Sequence, residues 1–395
     1  MSLSGLRAAW SGTRRVLFGL ALTVVPFTPG EGSGKADFAL LDRAIVEGIQ
    51  RGVYPGAVVV VGRSDAILHA RGFGRLAWST SSHAPSPDST LYDLASLTKI
   101  VATSSAALVL ADRGKLDIDA PVSRYLGEFS RGSQRAVTVR MLLDHTSGLR
   151  PYAEFYKVAR TRAGIVARLL REQPIRVPGD TAVYSDINAM LLGLVIERLT
   201  GESLDRFVTR EILQPLNMSE TGFRPSSARQ RRTAPGYLNG SEAVSGVVHD
   251  MNARGLGGVA GHAGLFGTGL DLARFAQWWL QEGESGGRQL VSRGAMERFL
   301  HPGRRAAGSR LLGWDSPDPQ VEPPSVFGSL LSTRAFGHTG WTGTQIWVDP
   351  EKDLFVILLT NRSMNQRVTP SLRDLRAIRA RVAEAAVQAT MFSGD

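Results

Sequence analysis

Gly56-Ala57-Val58-Val59-Val60-Val61-Gly62 opens with the run that sets the architecture, four consecutive valines between glycine-bounded ends. Branching at Cβ crowds the preceding turn of a helix, so this segment reads as a strand, apolar on both faces. Arg63-Ser64-Asp65 turns the chain and Ala66-Ile67-Leu68-His69-Ala70 brings it back, which makes a hairpin. A second pair lies near the other end: residues 344–348, a turn at Asp349-Pro350-Glu351-Lys352-Asp353, and residues 354–360. Helical spacing appears at 36–50 (Phe38, Leu41, Ile45, Ile49), and at 96–112 with Gly114 in the position of a left-handed cap. It returns at 187–200, 203–213, 270–281 and 370–390, while 137–320 carries no strand pair of readable length. The expected fold is α/β (α+β). One antiparallel sheet is built from both chain ends and flanked by helices (36–95 and 325–395), with a mainly helical lobe inserted (96–324). A cleft between the two lobes is the natural place for a site.

The chain has 395 residues, enough for such a two-lobed core at 43% hydrophobic composition, and its 43 glycines follow no fibrous period. Cysteine is absent, which excludes disulfide frameworks, thiolate metal sites and cysteine nucleophiles. Basic residues outnumber acidic ones, 46 to 36, for a net charge of +10, and only five of them are lysines (Lys35, Lys99, Lys115, Lys157, Lys352). The arginines are scattered among acids with no aromatic interleaving, so no nucleic-acid partner is expected. A basic surface suits other anionic polymers, cell wall among them. Residues 1–35 read as an export signal: Arg7, Arg14 and Arg15 precede an apolar run from Val16 to Phe27. That run is too short to span a bilayer, so no stable transmembrane span is expected, and a membrane-surface anchor is the competing reading. Export predicts a periplasmic or extracellular location.

Three clusters carry possible chemistry. In Ser96-Leu97-Thr98-Lys99 a hydroxyl and an amine share one face of a helix start. An amine desolvated near the positive end of a helix would shed its proton more easily and could take the serine's. The competing reading is a capping serine with a solvated lysine. Tyr184-Ser185-Asp186 follows a turn and opens a helix. Tyr184 could serve as base or proton relay if cations lowered its pKa from about 10, and the competing reading is a half-buried tyrosine with Asp186 as cap. Gly337-His338-Thr339-Gly340-Trp341-Thr342-Gly343 precedes the late hairpin, where glycines let a ligand lie along a strand edge and backbone N–H groups can hold an oxyanion. A rival, Gly283-Glu284-Ser285-Gly286-Gly287, matches the Gly-x-Ser-x-Gly pattern but follows a helix in a polar loop and is rejected. The glycine-rich run 255–269 lacks a preceding strand, and no metal-binding or phosphate-loop motif occurs, so neither cofactor nor metal is expected.

The order Ser-x-x-Lys, Tyr-Ser-Asp, His-Thr-Gly resembles the serine β-lactamase and penicillin-binding protein superfamily, in its class C branch. Further matching phrases are Leu142-Leu143-Asp144-His145-Thr146-Ser147-Gly148-Leu149 and Pro215-Leu216-Asn217-Met218, over about residues 38–390. The resemblance implies Ser96 as acylated nucleophile, Lys99 as its proton acceptor and Tyr184 as proton shuttle. It implies His338 on the strand edge, holding a substrate carboxylate or tuning Tyr184, with Thr339 and Gly340 beside it. The N–H groups of Ser96 and Trp341 would form the oxyanion hole. Lactamases carry Lys where this chain has His338 and Asn where it has Asp186, so Asp186 could attract a hydroxyl or amine. The stretch from Gly246 to Phe266, with His249, Asn252 and His262 as candidate cleft residues, looks like that of secreted muropeptide amidases. The implied activity is hydrolysis of amide bonds in peptidoglycan or its fragments, as muropeptide amidase or D-Ala carboxypeptidase. The alternatives are a family VIII carboxylesterase, a class C-like β-lactamase, or an inactive wall-binding relative.

Overall fold

The computed structural model describes residues 36–238, 242–301, 310–317, 325–364 and 372–391. The expected export signal, residues 1–35, lies outside them. Five strands form one antiparallel sheet: β1 (Gly56–Gly62), β2 (Ile67–Gly74), β3 (Phe336–Thr339), β4 (Gln345–Asp349) and β5 (Leu354–Thr360). Their order is β3-β4-β5-β1-β2, so the two chain ends meet where β1 pairs with β5, Val59 opposite Leu358. The valine run is buried along its whole length because both faces are covered. Ala57, Val59 and Val61 turn toward helices α1 (Ala39–Gln50) and, near the carboxyl end, a helix over Leu372–Met391. Val58 and Val60 turn to the opposite core, which continues into the helical lobe. Alternation along a strand thus serves two cores at once.

The nucleophile segment begins with tight turns, Leu97 N–H to Leu94 O and Lys99 N–H to Ser96 O, both 3.0 Å. It widens into a π-helical turn over Lys99–Ser104, then runs as α2 (Ser105–Asp112). The Ser105 hydroxyl donates to Ile100 O at 2.7 Å inside that wide turn. Helix α3 (Asp186–Thr200) starts at Ser185, whose hydroxyl accepts from Asn188 N–H, and stops at Gly201 with φ of 70°. Helix α4 (Gly269–Leu280) packs against the sheet, and α5 (Leu372–Met391) lies alongside α1 on the other face.

The structure bears out the sheet from both ends and the helical insertion, with two differences. The return strand β2 runs on to Gly74. The 137–320 stretch does contain strand pairing: Leu265–Gly267 bridges Tyr92–Asp93 and Gly222–Phe223, and two-residue pairs form at Gly236–Tyr237 with Ala243–Val244 and at Glu284–Ser285 with Arg288–Gln289. Strands of two or three residues are too short to show any alternation. Among the described residues no helix is long and apolar enough to cross a membrane.

Candidate active site

Ser96 follows Ala95, whose φ of 47° is a left-handed conformation uncommon for a residue with a side chain. Asp93 holds the kink, accepting from Ala95 N–H at 2.9 Å and from His249 N–H at 2.7 Å. Burial pushes the Asp93 carboxyl up to about 6. The turn after β3 is tied to the same segment: the hydroxyls of Thr342 and Thr344 donate to Asp93 O (2.7 Å) and Leu94 O (3.1 Å). At Gly340 a Cβ would stand 2.8 Å from Leu94 O, so only glycine lets the turn approach this closely. Ser96 and Trp341 are thereby drawn together, and neither backbone N–H has an acceptor among the described residues.

Two side chains converge on Ser96 Oγ: Lys99 Nζ donates at 2.9 Å and the Tyr184 hydroxyl at 2.8 Å. Lys99 also donates to His262 O at 3.2 Å and forms an ion pair with Asp186 Oδ1 at 2.8 Å. That carbonyl arrives because Gly261 presses on α3, where a Cβ would be 1.9 Å from Ala189 O. Burial is the largest single influence on the Lys99 ammonium and pushes it down, but the Asp186 carboxylate and the Tyr184 phenol together push it up, and the net shift is upward. Lys99 is therefore more firmly protonated than a free lysine, against the expectation that it sheds its proton easily. Tyr184 also departs from expectation. Burial raises its phenol, and the Lys99 cation only partly offsets this. The amine that Asp186 attracts is this chain's own lysine.

His145, within one of the quoted phrases, proves central. It adopts a φ of 62°, and its Nδ1 lies 3.2 Å from Ser185 N–H and 3.1 Å from Asn188 Nδ2. Because the Ser185 N–H can only donate, Nδ1 is an acceptor and the ring proton sits on Nε2. Burial, with Arg310 and Lys99 nearby, holds this imidazole well below its ordinary range. Its ring packs 4.9 Å from that of Tyr184, while the Arg310 guanidinium stands 5.0 Å from the Tyr184 ring and pairs with Asp315. Sequence reasoning passed over both residues: nothing local marks His145 as left-handed or sets Arg310 opposite a tyrosine.

His338, on β3, is buried, and its Nδ1 lies 2.8 Å from Thr339 O. A carbonyl only accepts, so Nδ1 carries the proton. Burial and the Lys99 and Arg310 cations hold the ring neutral. Its Nε2 is then a bare acceptor with no partner among the described residues. In this form His338 offers a lone pair to a donor.

Ser96, Tyr184, Asp186, His338, Thr339, Gly340 and Trp341 all line one cavity of about 620 Å³. Arg310, Arg362, Arg376 and Arg379 line it as well. His249, Asn252 and His262 do not. Asn252 is 1% exposed and spends both ends of its amide on backbone, Tyr156 N–H at 3.1 Å and Ala153 O at 2.8 Å. The His262 ring is buried against Asp250 at 2.8 Å, and only its carbonyl reaches Lys99. The His249 ring stacks on Trp341 at 4.1 Å, with the Arg362 guanidinium 4.7 Å from the same indole. These residues frame the cleft from behind. The rival Ser285 lies on a small hairpin turned by Gly286 and Gly287, and the chain after it enters a second strand, Arg288–Gln289, instead of a helix. A second cavity of about 670 Å³ on the helical lobe is lined by none of the candidate site residues, and its charged side chains are engaged in ion pairs, Arg162 with Glu197, Arg224 with Asp205, Arg198 with Glu128 and Glu202 with Arg210.

The Beta-lactamase family model matches residues 41–381. A protein named putative D-alanyl-D-alanine carboxypeptidase from Escherichia coli O157:H7 is 31% identical, over 82% of this chain and 81% of that protein. One named N-acetylmuramyl-L-alanine amidase from Bacillus subtilis (strain 168) is 32% identical, over 84% of this chain and 82% of its own length. A crystal structure of a class C beta lactamase shares the fold with a TM-score of 0.68 at 20% identity, covering 87% of this chain and 96% of that one.

Proposed function

Because the chain belongs to the Beta-lactamase family, we propose that it is a serine hydrolase that cleaves amide bonds of peptidoglycan or its fragments through an acyl-enzyme, as a muropeptide amidase or a D-alanine carboxypeptidase. The observation that carries the reading is the placement of Ser96 Oγ between Lys99 Nζ at 2.9 Å and the Tyr184 hydroxyl at 2.8 Å. The names of the Escherichia coli and Bacillus subtilis relatives support the substrate class. An export segment at residues 1–35 would carry the enzyme to that substrate outside the cytoplasm.

In the proposed cycle Lys99 first gives up a proton to solvent, and Ser96 Oγ then attacks the scissile carbonyl as its hydroxyl proton passes to the neutral Lys99 amine. The oxyanion lies against the N–H groups of Ser96 and Trp341, donors of a kind worth about 10²–10³ in rate each. Tyr184 protonates the departing amine and regains a proton from Lys99, then directs water at the ester in the second half. His338 Nε2 accepts from an N–H or hydroxyl of the substrate flank that lies along β3.

The test is mass analysis of products after incubation with a muropeptide containing the N-acetylmuramyl–L-alanine bond, and separately with an acyl-D-alanyl-D-alanine peptide. Release of an L-alanyl peptide or of D-alanine is expected, and Ser96→Ala abolishes it. Loss of neither bond, with turnover confined to simple esters or β-lactams, would overturn the amide assignment and favour the esterase or lactamase alternative.

A further inference from the structure

The ammonium group of Lys99 makes three contacts with oxygen: it donates to Ser96 Oγ at 2.9 Å and to His262 O at 3.2 Å, and it forms an ion pair with Asp186 Oδ1 at 2.8 Å. It is also almost fully buried, so no water is needed to complete its shell. A neutral amine could donate only two of those three contacts and would set its lone pair against an oxygen. The cage is shaped for a cation, and its one carboxylate comes from the first turn of α3. We propose that Asp186 is a positioning residue that keeps Lys99 an ammonium ion in the free enzyme, so that Ser96 becomes reactive only once the Lys99–Asp186 pair has given up a proton to solvent.

An amide at position 186 would preserve the acceptor and remove the charge, which separates the two properties. Other groups around Lys99 do not replace Asp186. Tyr184 turns its ring toward Nζ at 4.9 Å and also favours the ammonium, but as a phenol kept protonated by burial it brings no full charge. The rings of His145 and His338 are neutral and reinforce no cation. Arg310 is itself positive, and its partner Asp315 faces it. Asp250 feels Lys99 but is engaged by His262 at 2.8 Å. Burial pushes the Lys99 ammonium down, and Asp186 together with Tyr184 reverses that direction.

Once the pair has lost its proton the step balances. The Ser96 O–H bond breaks as Oγ bonds to the electrophile, Nζ gains that proton, and the leaving group departs. The inference rests on Ser96 as nucleophile and not on the identity of the natural substrate, so the probe is a fluorophosphonate, from which fluoride leaves and no peptidoglycan is required. Failure with muropeptides would leave this test unaffected.

Labelling rates are followed against pH for the full chain and for Asp186→Asn and Asp186→Glu. The expected rate rises with pH in the unsubstituted enzyme. In Asp186→Asn the rise moves to lower pH by about one unit or more, equivalent to roughly tenfold faster labelling on the acid side relative to the plateau, and Asp186→Glu restores the original position. A rise at the same pH in all three proteins would overturn the proposal, as would uniform slowing in Asp186→Asn with its midpoint unmoved. The second measurement needs no variant of Asp186. The chain contains only five lysines, so ¹³C-lysine labelling gives a resolvable ε-carbon for Lys99, identified by its loss in Lys99→Arg. A Lys99 signal that titrates at or below the pH of ordinary lysines overturns the proposal even if the position 186 variants fail to fold.

Discussion

Ser96 Oγ has two lone pairs, and Lys99 and Tyr184 each aim a proton at it. Its own hydrogen must then point away from both, toward the cleft. In this resting arrangement neither neighbour has a vacancy for the serine proton, so the site differs from a base-poised serine by one proton. Tyr184 matters because burial keeps its phenol protonated while its oxygen touches the nucleophile. Replacing Tyr184 by Phe removes only that hydroxyl and leaves the ring against His145 and His338, 4.9 Å and 5.8 Å away. Acylation of Ser96 by an activated ester is expected to slow by about 10²–10⁴. The thermal midpoint should stay within about 2 °C, since little packing is lost. Unchanged acylation in the folded variant would remove Tyr184 from the proton path. Ser96, Lys99 and Tyr184 were legible as residues because their types and spacing are unusual together. Their protonation was not legible, because it depends on Asp186 approaching Lys99 across α3, a contact no local spacing encodes.

The β3–β4 turn is the element through which the sheet meets the nucleophile. Two threonines tie it forward to Asp93 and Leu94. From behind, α5 reaches it through Arg379, whose Nη2 donates to Gly340 O at 2.7 Å and to Thr344 O at 2.8 Å. That guanidinium is buried without a carboxylate in contact among the described residues, and burial together with Arg362 and Arg376 lowers it to about 9. Arg379→Met keeps the stem but removes one of two donors from each carbonyl, Gly340 O keeping the Gly343 N–H at 3.1 Å and Thr344 O keeping the Gly340 N–H at 2.8 Å, at a cost of about 1 kcal/mol after relief of the buried charge is set against it. Urea unfolding should show that loss, and fluorophosphonate labelling should fall with it because the Trp341 N–H shifts. Destabilisation with full labelling would mean that the threonine ties alone hold the turn. Helix α5 was readable from its apolar spacing, but not the inward Arg379, since one arginine among many at the surface carries no signal. Likewise β1 and β5 were readable from unbroken apolar runs, and α3 from its apolar spacing and Gly201, although its capping side chain is Ser185 and not Asp186. The three-residue strand at Leu265–Gly267 was not, although it fixes Leu94 by accepting its N–H at 3.0 Å.

At the scale of the whole molecule, β1 is clasped between β2 and β5, so the sheet is complete only after the last third of the chain has returned to the first. That closure places a strand edge from one end and a helix start from the other on either side of Ser96, and it was legible because both ends carry hairpins while the middle reads as helix. The surface outside this cleft has a separate physical role. The chain carries a net charge of +10, mostly as scattered arginine, whereas the groups acting on Ser96 are buried and paired. Mobile ions screen exposed charges beyond about 8 Å at physiological ionic strength but penetrate a packed site poorly. Association with an anionic wall polymer should therefore weaken steeply as salt is raised, while turnover of a small neutral ester should stay level. Co-sedimentation with purified cell-wall sacculi, run beside ester hydrolysis across one salt series, reads both quantities in the same samples. Retention of wall binding at high salt would assign adhesion to shape or to the exposed indole of Trp341. A parallel fall in ester turnover would show that the exposed charge reaches the Lys99–Asp186 pair after all.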